Sequence, residues 1–179
     1  MASRLPDAAG GAALYVGFGF MVAGMLVKAA IFPVHIWLPA AYGYAPSAVS
    51  TLLAAIATKA ALYVLARIFF TIFGGTPEFV DNALSNIIVP LAVGGIFVGT
   101  IMAIYEADIK KMFAHSSVAQ IGYIALGLAL ATPAGISAGF IHIANHALIK
   151  GGIFMAIGGF VAALGARASL ETITGIGRR

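Results

Sequence analysis

The sequence contains no cysteine, and only 9% of its residues are charged. The absence of cysteine excludes a disulfide-stabilised secreted scaffold and any metal site built on thiolates. Charged residues make up roughly 25% of an average soluble domain, so this sequence, which is 61% hydrophobic, is poorly suited to be a soluble enzyme. The pI near 9.6 suggests a nucleic-acid ligand, but no basic face is present to meet phosphates.

Acidic residues are also missing from the long hydrophobic stretches. All six lie in links or tails, whereas several of the ten basic residues lie inside the stretches. A cation buried in a membrane needs a partner or a water-filled cavity, and such residues commonly mark ion pathways. The imbalance therefore directs attention to the buried basic residues.

Five segments are long enough to cross a membrane, which takes about 20 mostly apolar residues. They are residues 11–38, 47–73, 83–105, 112–131 and 135–164. We predict an all-α integral membrane protein of about five transmembrane helices, in which residues 1–179 form a single transmembrane domain. The first segment is too long for a signal peptide and lacks a cleavage site, so we expect a retained helix.

The basic residues near the segment ends predict the orientation. Five lie on one side of the membrane (Lys110, Lys111, Arg167, Arg178 and Arg179), and two lie on the other (Arg4 and Arg67). The positive-inside rule then places the N-terminus outside and the C-terminus in the cytoplasm.

Lys28 and Pro33 lie close together in the first segment. A continuous helix over residues 11–38 would be about 42 Å long at 1.5 Å per residue, which exceeds an apolar core of about 30 Å. Because proline cannot donate a backbone hydrogen bond, we predict a helix break at Ala29–Pro33, beside Lys28. Broken helices recur at ion sites in transporters. Alternatively, Lys28 extends to a membrane interface.

Lys59 lies in the middle of the second segment. A lysine at the bilayer centre costs about 2.5–3.5 kcal/mol on insertion scales, so this side chain must face protein or water. There it can alternate between its charged and neutral forms and carry a proton.

The fifth segment carries His142, His146 and Lys150 at spacings of four residues, which places them on one helix face. Because histidine changes charge near neutral pH, this row is typical of a proton relay. Three other interpretations remain: a zinc site that lacks a completing carboxylate or cysteine, a bis-histidine haem site, and plain hydrogen bonding between helices. We predict neither a metal nor a cofactor. No phosphate-binding loop, dinucleotide motif or H-E-x-x-H is present, and the chain has no catalytic site of its own.

The link between the third and fourth segments carries Asp108 and Lys110. Asp108 is suited to cap the following helix, so a capping and anchoring role stands beside a functional one for this cytoplasmic loop. We expect His35 and Trp37 at the cytoplasmic interface.

Several strings resemble the antiporter-like subunits of respiratory complex I and of Mrp-type cation/proton antiporters, and most closely the D-type component of the Mrp antiporters. They are KAAIFPVHIWLP (28–39), APSAVS (45–50), TKAALYVLAR (58–67), DIKKMFAHSS followed by QIGY (108–123) and HxxNHALIK (142–150). The strings follow the order and spacing of that family across nearly the whole chain.

The resemblance implies a larger fold of about 14 helices that contains two inverted five-helix repeats. This chain would match the seventh to eleventh helices. The lysine matching Lys28 would lie in the broken helix and exchange a proton. The residues matching Lys59 and His146 would continue a polar axis along the membrane midplane, with Lys150 on it or beside it.

The chain also departs from the family pattern. Ala40 stands where the family usually has aspartate, and Lys111 and His115 stand where arginine and tyrosine are common. The family's essential glutamate and its terminal ionisable group lie on earlier and later helices. We therefore expect the missing carboxylates outside this chain, which would be an internal fragment.

The resemblance implies a proton-conducting subunit of a multisubunit monovalent cation/proton antiporter in the cytoplasmic membrane of a prokaryote. Its partners would be lipid, the other subunits, protons and either Na⁺ or K⁺. The alternatives are a proton-pumping subunit of a redox-driven NADH-quinone oxidoreductase or membrane-bound hydrogenase, a structural subunit without transport activity, and a small free-standing channel.

Overall fold

The chain is almost entirely helical. The computed structural model describes residues 12–74, 77–165 and 169–175, and within these ranges the only β-type pairing is an isolated bridge between Asp108 and Ser169. Four helices are long and apolar enough to span a membrane, and a shorter apolar helix, Ala13–Ala29, precedes them. The prediction of an all-α, multi-pass membrane protein is confirmed.

Six helices are defined by these residues. Helix α1 is Ala12–Ala29, and α2 is Trp37–Tyr44. Helix α3 joins Ser47–Leu52 and Thr58–Arg67 through a π-helical turn at Leu53–Ala57 and ends in a second π-helical turn at Ile68–Ile72. Helix α4 joins Pro77–Ala83 and Val89–Ile104 through a π-helical turn at Leu84–Ile88. Helix α5 is Ile109–Ala129, and α6 is Pro133–Leu164.

The break predicted at Ala29–Pro33 is present. Helix α1 ends at Ala29, and Ala30 adopts a positive φ of 57°. Because proline has no N–H, Pro33 cannot continue the helical ladder. The carbonyl of Val27 accepts hydrogen bonds from the backbone nitrogen of Ala30 at 3.1 Å and from Nε1 of Trp37 at 2.9 Å. The side chain of Trp37 at the start of α2 therefore ties the two sides of the break together.

Close backbone contacts hold α4 against α5. A Cβ atom added to Gly99 would lie 2.6 Å from the backbone nitrogen of Ala119, and one added to Gly122 would lie 2.7 Å from the carbonyl oxygen of Ala92. Small residues at such positions let membrane helices approach each other without intervening side chains. Helix α5 therefore has one face fixed on α4, while its other faces contact α2 and α6.

Helices α1 and α6 both pack against α3 and fix its position. Helix α1 packs on α3, and the ring of Phe18 on α1 makes edge-on contacts with three other rings: Phe69, Phe73 and, from the start of α4, Phe79. On the opposite side, α6 crosses α3 so closely that a Cβ at Gly158 would lie 2.9 Å from Cβ of Ser47. Helices α3 and α6 thus face each other across the interior.

Candidate functional site

Three buried ionisable residues from α3 and α6 lie close together. Lys59 is 4% exposed, His146 is 2% exposed and Lys150 is 3% exposed. Their charges are near enough to interact with one another. No carboxylate among the described residues forms an ion pair with any of the three. Such groups are costly in a membrane interior unless they serve an ion pathway.

A π-helical turn positions Lys59. The turn ends one residue before Thr58, and Nζ of Lys59 donates a hydrogen bond to the carbonyl oxygen of Ala54 within it. π-helical turns leave the regular hydrogen-bond ladder and occur often at functional sites. Helix α6 packs against this turn, where a Cβ at Gly151 would lie 3.4 Å from Cβ of Ala55. The local geometry thus directs the ammonium inward to a backbone carbonyl.

Lys150 reaches from α6 to α5. Its Nζ donates to the carbonyl oxygen of Phe113 at 2.9 Å and to Oγ of Ser116 at 3.1 Å. The same Nζ lies 5.1 Å from the ring centroid of Phe113, within cation–π range. Neutral dipoles therefore hold the ammonium. A lysine held in this way can lose its proton without breaking a salt bridge.

His142 and His146 lie on the same face of α6 as Lys150, two turns and one turn before it in the sequence. The His142 and His146 rings stack with centroids 6.0 Å apart and planes 17° apart. Nε2 of His142 lies 2.8 Å from Oε1 of Gln120 and donates to it, since an amide carbonyl oxygen only accepts. Neither ring nitrogen of His146 has a hydrogen-bond partner in the part of the chain that the structure describes.

Lys28 does not join this group. Its side chain is exposed at the last turn of α1, and no residue of the described ranges hydrogen-bonds or ion-pairs with it. Pro33 is exposed at the break. The structure thus brings four of the predicted proton-transfer residues together (Lys59, His142, His146 and Lys150) and leaves Lys28 apart. Their role in proton transfer stays a prediction.

The loop before α5 has a structural task. Asp108 caps α5 by accepting a hydrogen bond from the backbone nitrogen of Lys111 at 3.2 Å. Nζ of Lys110 donates to the carbonyl oxygen of Ala45 at 3.1 Å. Because Ala45 follows α2, the Lys110 bond ties the end of α2 to α5, whereas the Asp108 cap stabilises α5 itself.

Sequence reasoning missed two features. One is Gln120, an amide in the middle of α5 that bonds to His142. The other is a polar group near the break, where His115 lies 3.9 Å from Glu106 and near His35. His35 and His115 are 7% and 8% exposed. Gln120 could have been noticed as a polar side chain inside an apolar helix. Its partner His142 lies 22 residues away, however, and only the packing of α5 against α6 brings the two together.

A metal site is not formed by these side chains. Within the described residues, no group of three His, Cys, Asp or Glu side chains converges as metal ligands. The two histidines of α6 stack on each other, and Gln120 already holds one of them.

Nearly the whole chain matches one known protein family. The family model for the transmembrane region of NADH:quinone oxidoreductase and Mrp antiporter proteins matches residues 4–177. The chain belongs to this family. It is 40% identical over 159 residues to NADH-quinone oxidoreductase subunit N of Desulforudis audaxviator, covering 89% of this chain and 31% of that protein. It is 33% identical over 159 residues to the D component of the Na⁺/H⁺ antiporter of Bacillus subtilis, with the same two shares.

The fold of this family member is also found in a solved assembly. A chain of the Mrp complex from Dietzia sp. DQ12-45-1b superposes with a TM-score of 0.82 at 32% identity, covering 91% of this chain and 29% of that one. The chain therefore spans about a third of the length of the relatives it matches.

Proposed function

We propose that this protein is a proton-conducting part of a multisubunit membrane complex that exchanges protons for Na⁺ or K⁺. The observation that carries the proposal is the buried group of Lys59, His146 and Lys150 between α3 and α6. Desolvated basic side chains that touch only neutral dipoles in a membrane interior are unsuited to stabilising a fold, but they are suited to taking up and releasing protons.

The proposed path runs along this group. A proton on Lys59 passes through internal water to His146, and Lys150 takes it next. Each acceptor is a neutral nitrogen before the step and a cation after it, so one positive charge moves along the row. Like charges repel at these short separations, and a proton arriving at one end therefore favours release at the other. Lys28 would supply the row from the broken helix.

The wider setting follows from the family and the charge pattern. Relatives are named as the D component of an antiporter and as the N component of an oxidoreductase, so we infer that this chain works beside other subunits. We infer a prokaryotic cytoplasmic membrane with the N-terminus outside and the C-terminus in the cytoplasm, because Lys110 and Lys111 lie in the first turn of α5, next to the link from α4.

A second candidate is a proton-pumping subunit of a redox-driven oxidoreductase. The 40% identity to NADH-quinone oxidoreductase subunit N favours it. The path would be the same, and only the driving reaction would differ. Proton movement that requires Na⁺ or K⁺ supports the antiporter, whereas proton movement that requires quinone reduction supports the second candidate.

The deciding experiment replaces Lys59 with methionine in the complete assembly and measures proton movement in membrane vesicles. Methionine has a side chain of similar volume to lysine, but it has no group that can bind or release a proton. We expect Lys59→Met to assemble normally and to lose proton-coupled transport. The matched control is Arg67→Met, two turns later on α3, where the side chain is exposed. Normal transport by Lys59→Met would leave the chain with a structural role only.

A further inference from the structure

Tyr42 on α2 reaches the π-helical turn of α3 that holds Lys59. Its side chain is fully buried, and its hydroxyl donates a hydrogen bond to the carbonyl oxygen of Leu53 at 3.1 Å. Leu53 is the first residue of the turn, and Ala54, whose carbonyl oxygen accepts from Nζ of Lys59, is the second. Two successive carbonyls of the turn thus each bind a side chain, one from α2 and one from α3.

Further contacts fix the position of Tyr42 itself. Oγ of Ser50, in the first part of α3, donates to the backbone carbonyl oxygen of Tyr42 at 2.8 Å. The ring of Tyr42 packs edge-on against the ring of Phe154 on α6, with centroids 5.3 Å apart and planes 87° apart. Phe154 is also fully buried, and it lies one turn after Lys150 on the same face of α6. Tyr42 therefore contacts both helices that carry the buried basic residues.

A hydrogen bond in this place controls the shape of the turn. π-helical turns are rare, because their residues leave the regular hydrogen-bond ladder. Such a turn persists where contacts from outside the helix favour it, and the hydroxyl of Tyr42 makes one of these contacts. If that hydrogen bond is lost, the turn is free to relax toward a regular helix. The carbonyl of Ala54 would then change direction, and the hydrogen bond from Nζ of Lys59 would weaken.

We propose that Tyr42 is a positioning residue, whose hydroxyl keeps the π-helical turn in the geometry that holds the ammonium of Lys59. This inference rests on the proposed function, because Lys59 is the proton carrier on which Tyr42 acts. The hydroxyl keeps its own proton and donates to a neutral carbonyl throughout. Its effect is to set how firmly Lys59 retains a proton against the nearby charges of Lys150 and of protonated His146 on α6.

The test is Tyr42→Phe in the complete assembly, with the rate of proton-coupled transport in vesicles measured against pH. Phenylalanine removes only the hydroxyl and keeps the ring that packs on Phe154. Because Lys59 then releases its proton more easily, we expect the alkaline limb of the profile to move about one unit to lower pH, a tenfold change in proton affinity. The matched control is Tyr63→Phe, one turn after Lys59, where the side chain is exposed and the profile should not move.

Hydrogen exchange in the same assembly tests the turn directly. We expect the backbone amides of residues 53–59 to exchange faster in Tyr42→Phe than in the wild type or in Tyr63→Phe, because the turn opens more easily. Transport that is lost while exchange stays unchanged would overturn the proposal, since the hydroxyl would then act on protons itself. If Tyr42→Phe fails to assemble, Ser50→Ala, which releases the backbone carbonyl of Tyr42, takes its place with the same two expectations.

The pH profile separates this role from a merely structural one, which would lower the rate equally at every pH. A moved profile together with faster exchange at the turn supports the proposal, and an unmoved profile in Tyr42→Phe refutes it. If Lys59→Met loses transport while the Tyr42→Phe profile stays in place, the positioning role fails and the proposed function stands. Normal transport in Lys59→Met would refute the proposed function itself.

Discussion

Nζ of Lys150 on α6 lies 2.9 Å from the carbonyl oxygen of Phe113 on α5, so the ammonium is held by a dipole of the neighbouring helix. The second partner, Ser116, is a neutral hydroxyl. Neither partner carries a charge that would trap the proton on Lys150. This contact links the packing of two helices to the chemistry of one side chain.

Lys150→Arg separates charge from proton exchange. Arginine keeps the positive charge and the donors, but its guanidinium is not deprotonated in proteins. We expect coupled transport to fall by about 10²-fold or more, the usual contribution of a positioned acid–base group. Proton uptake in vesicles measures this fall in transport. The control is Arg67→Lys, which keeps the positive charge at an exposed site. Wild-type rates in Lys150→Arg would remove this residue from the path.

His146→Leu tests whether a buried ring is kept for function at the expense of stability. Both ring nitrogens are buried and unpartnered within the described chain, a cost of about 1–3 kcal/mol per unsatisfied group. We expect the variant to unfold at the same or a higher temperature in detergent while coupled transport is lost. A clear drop in the unfolding temperature would mean that His146 has a structural partner.

Lys28→Ala tests the residue that stands apart from the buried group. The side chain is exposed on the last turn of α1, so its removal leaves no cavity in this part of the fold. We expect the complex to assemble and proton-coupled transport to be abolished, as measured by proton uptake in vesicles. Lys111→Ala, another basic side chain, serves as the comparison. Transport that survives in Lys28→Ala would exclude the broken helix from the path.

Gly99→Val tests the close contact between α4 and α5. The added Cβ would lie 2.6 Å from the backbone nitrogen of Ala119, so the helices must separate. We expect a loss of about 1–3 kcal/mol of stability, typical of overpacking. Thermal unfolding in detergent measures it. Gly17→Val is the matched control, since nothing lies within 4 Å of a Cβ at Gly17. Equal stability of the two variants would contradict the proposed packing.

Much of the fold was predictable because the bilayer imposes few choices. Long apolar runs must form helices in a membrane, and Pro33 predicted where the first helix would break. The spacing of His142, His146 and Lys150 also placed them on one face of α6 without any knowledge of the neighbours. These are local properties, and they follow from helix geometry alone.

The sequence by itself therefore determined the helical class, the broken helix and the row of basic residues on α6. Only the tertiary structure decided that Lys59 of α3 faces this row and that Lys150 bonds to α5. It also brought Gln120 to His142. The reason is physical: helix periodicity is fixed within one segment, whereas the pairing of faces depends on how closely small residues such as Gly99 and Gly122 let the helices approach.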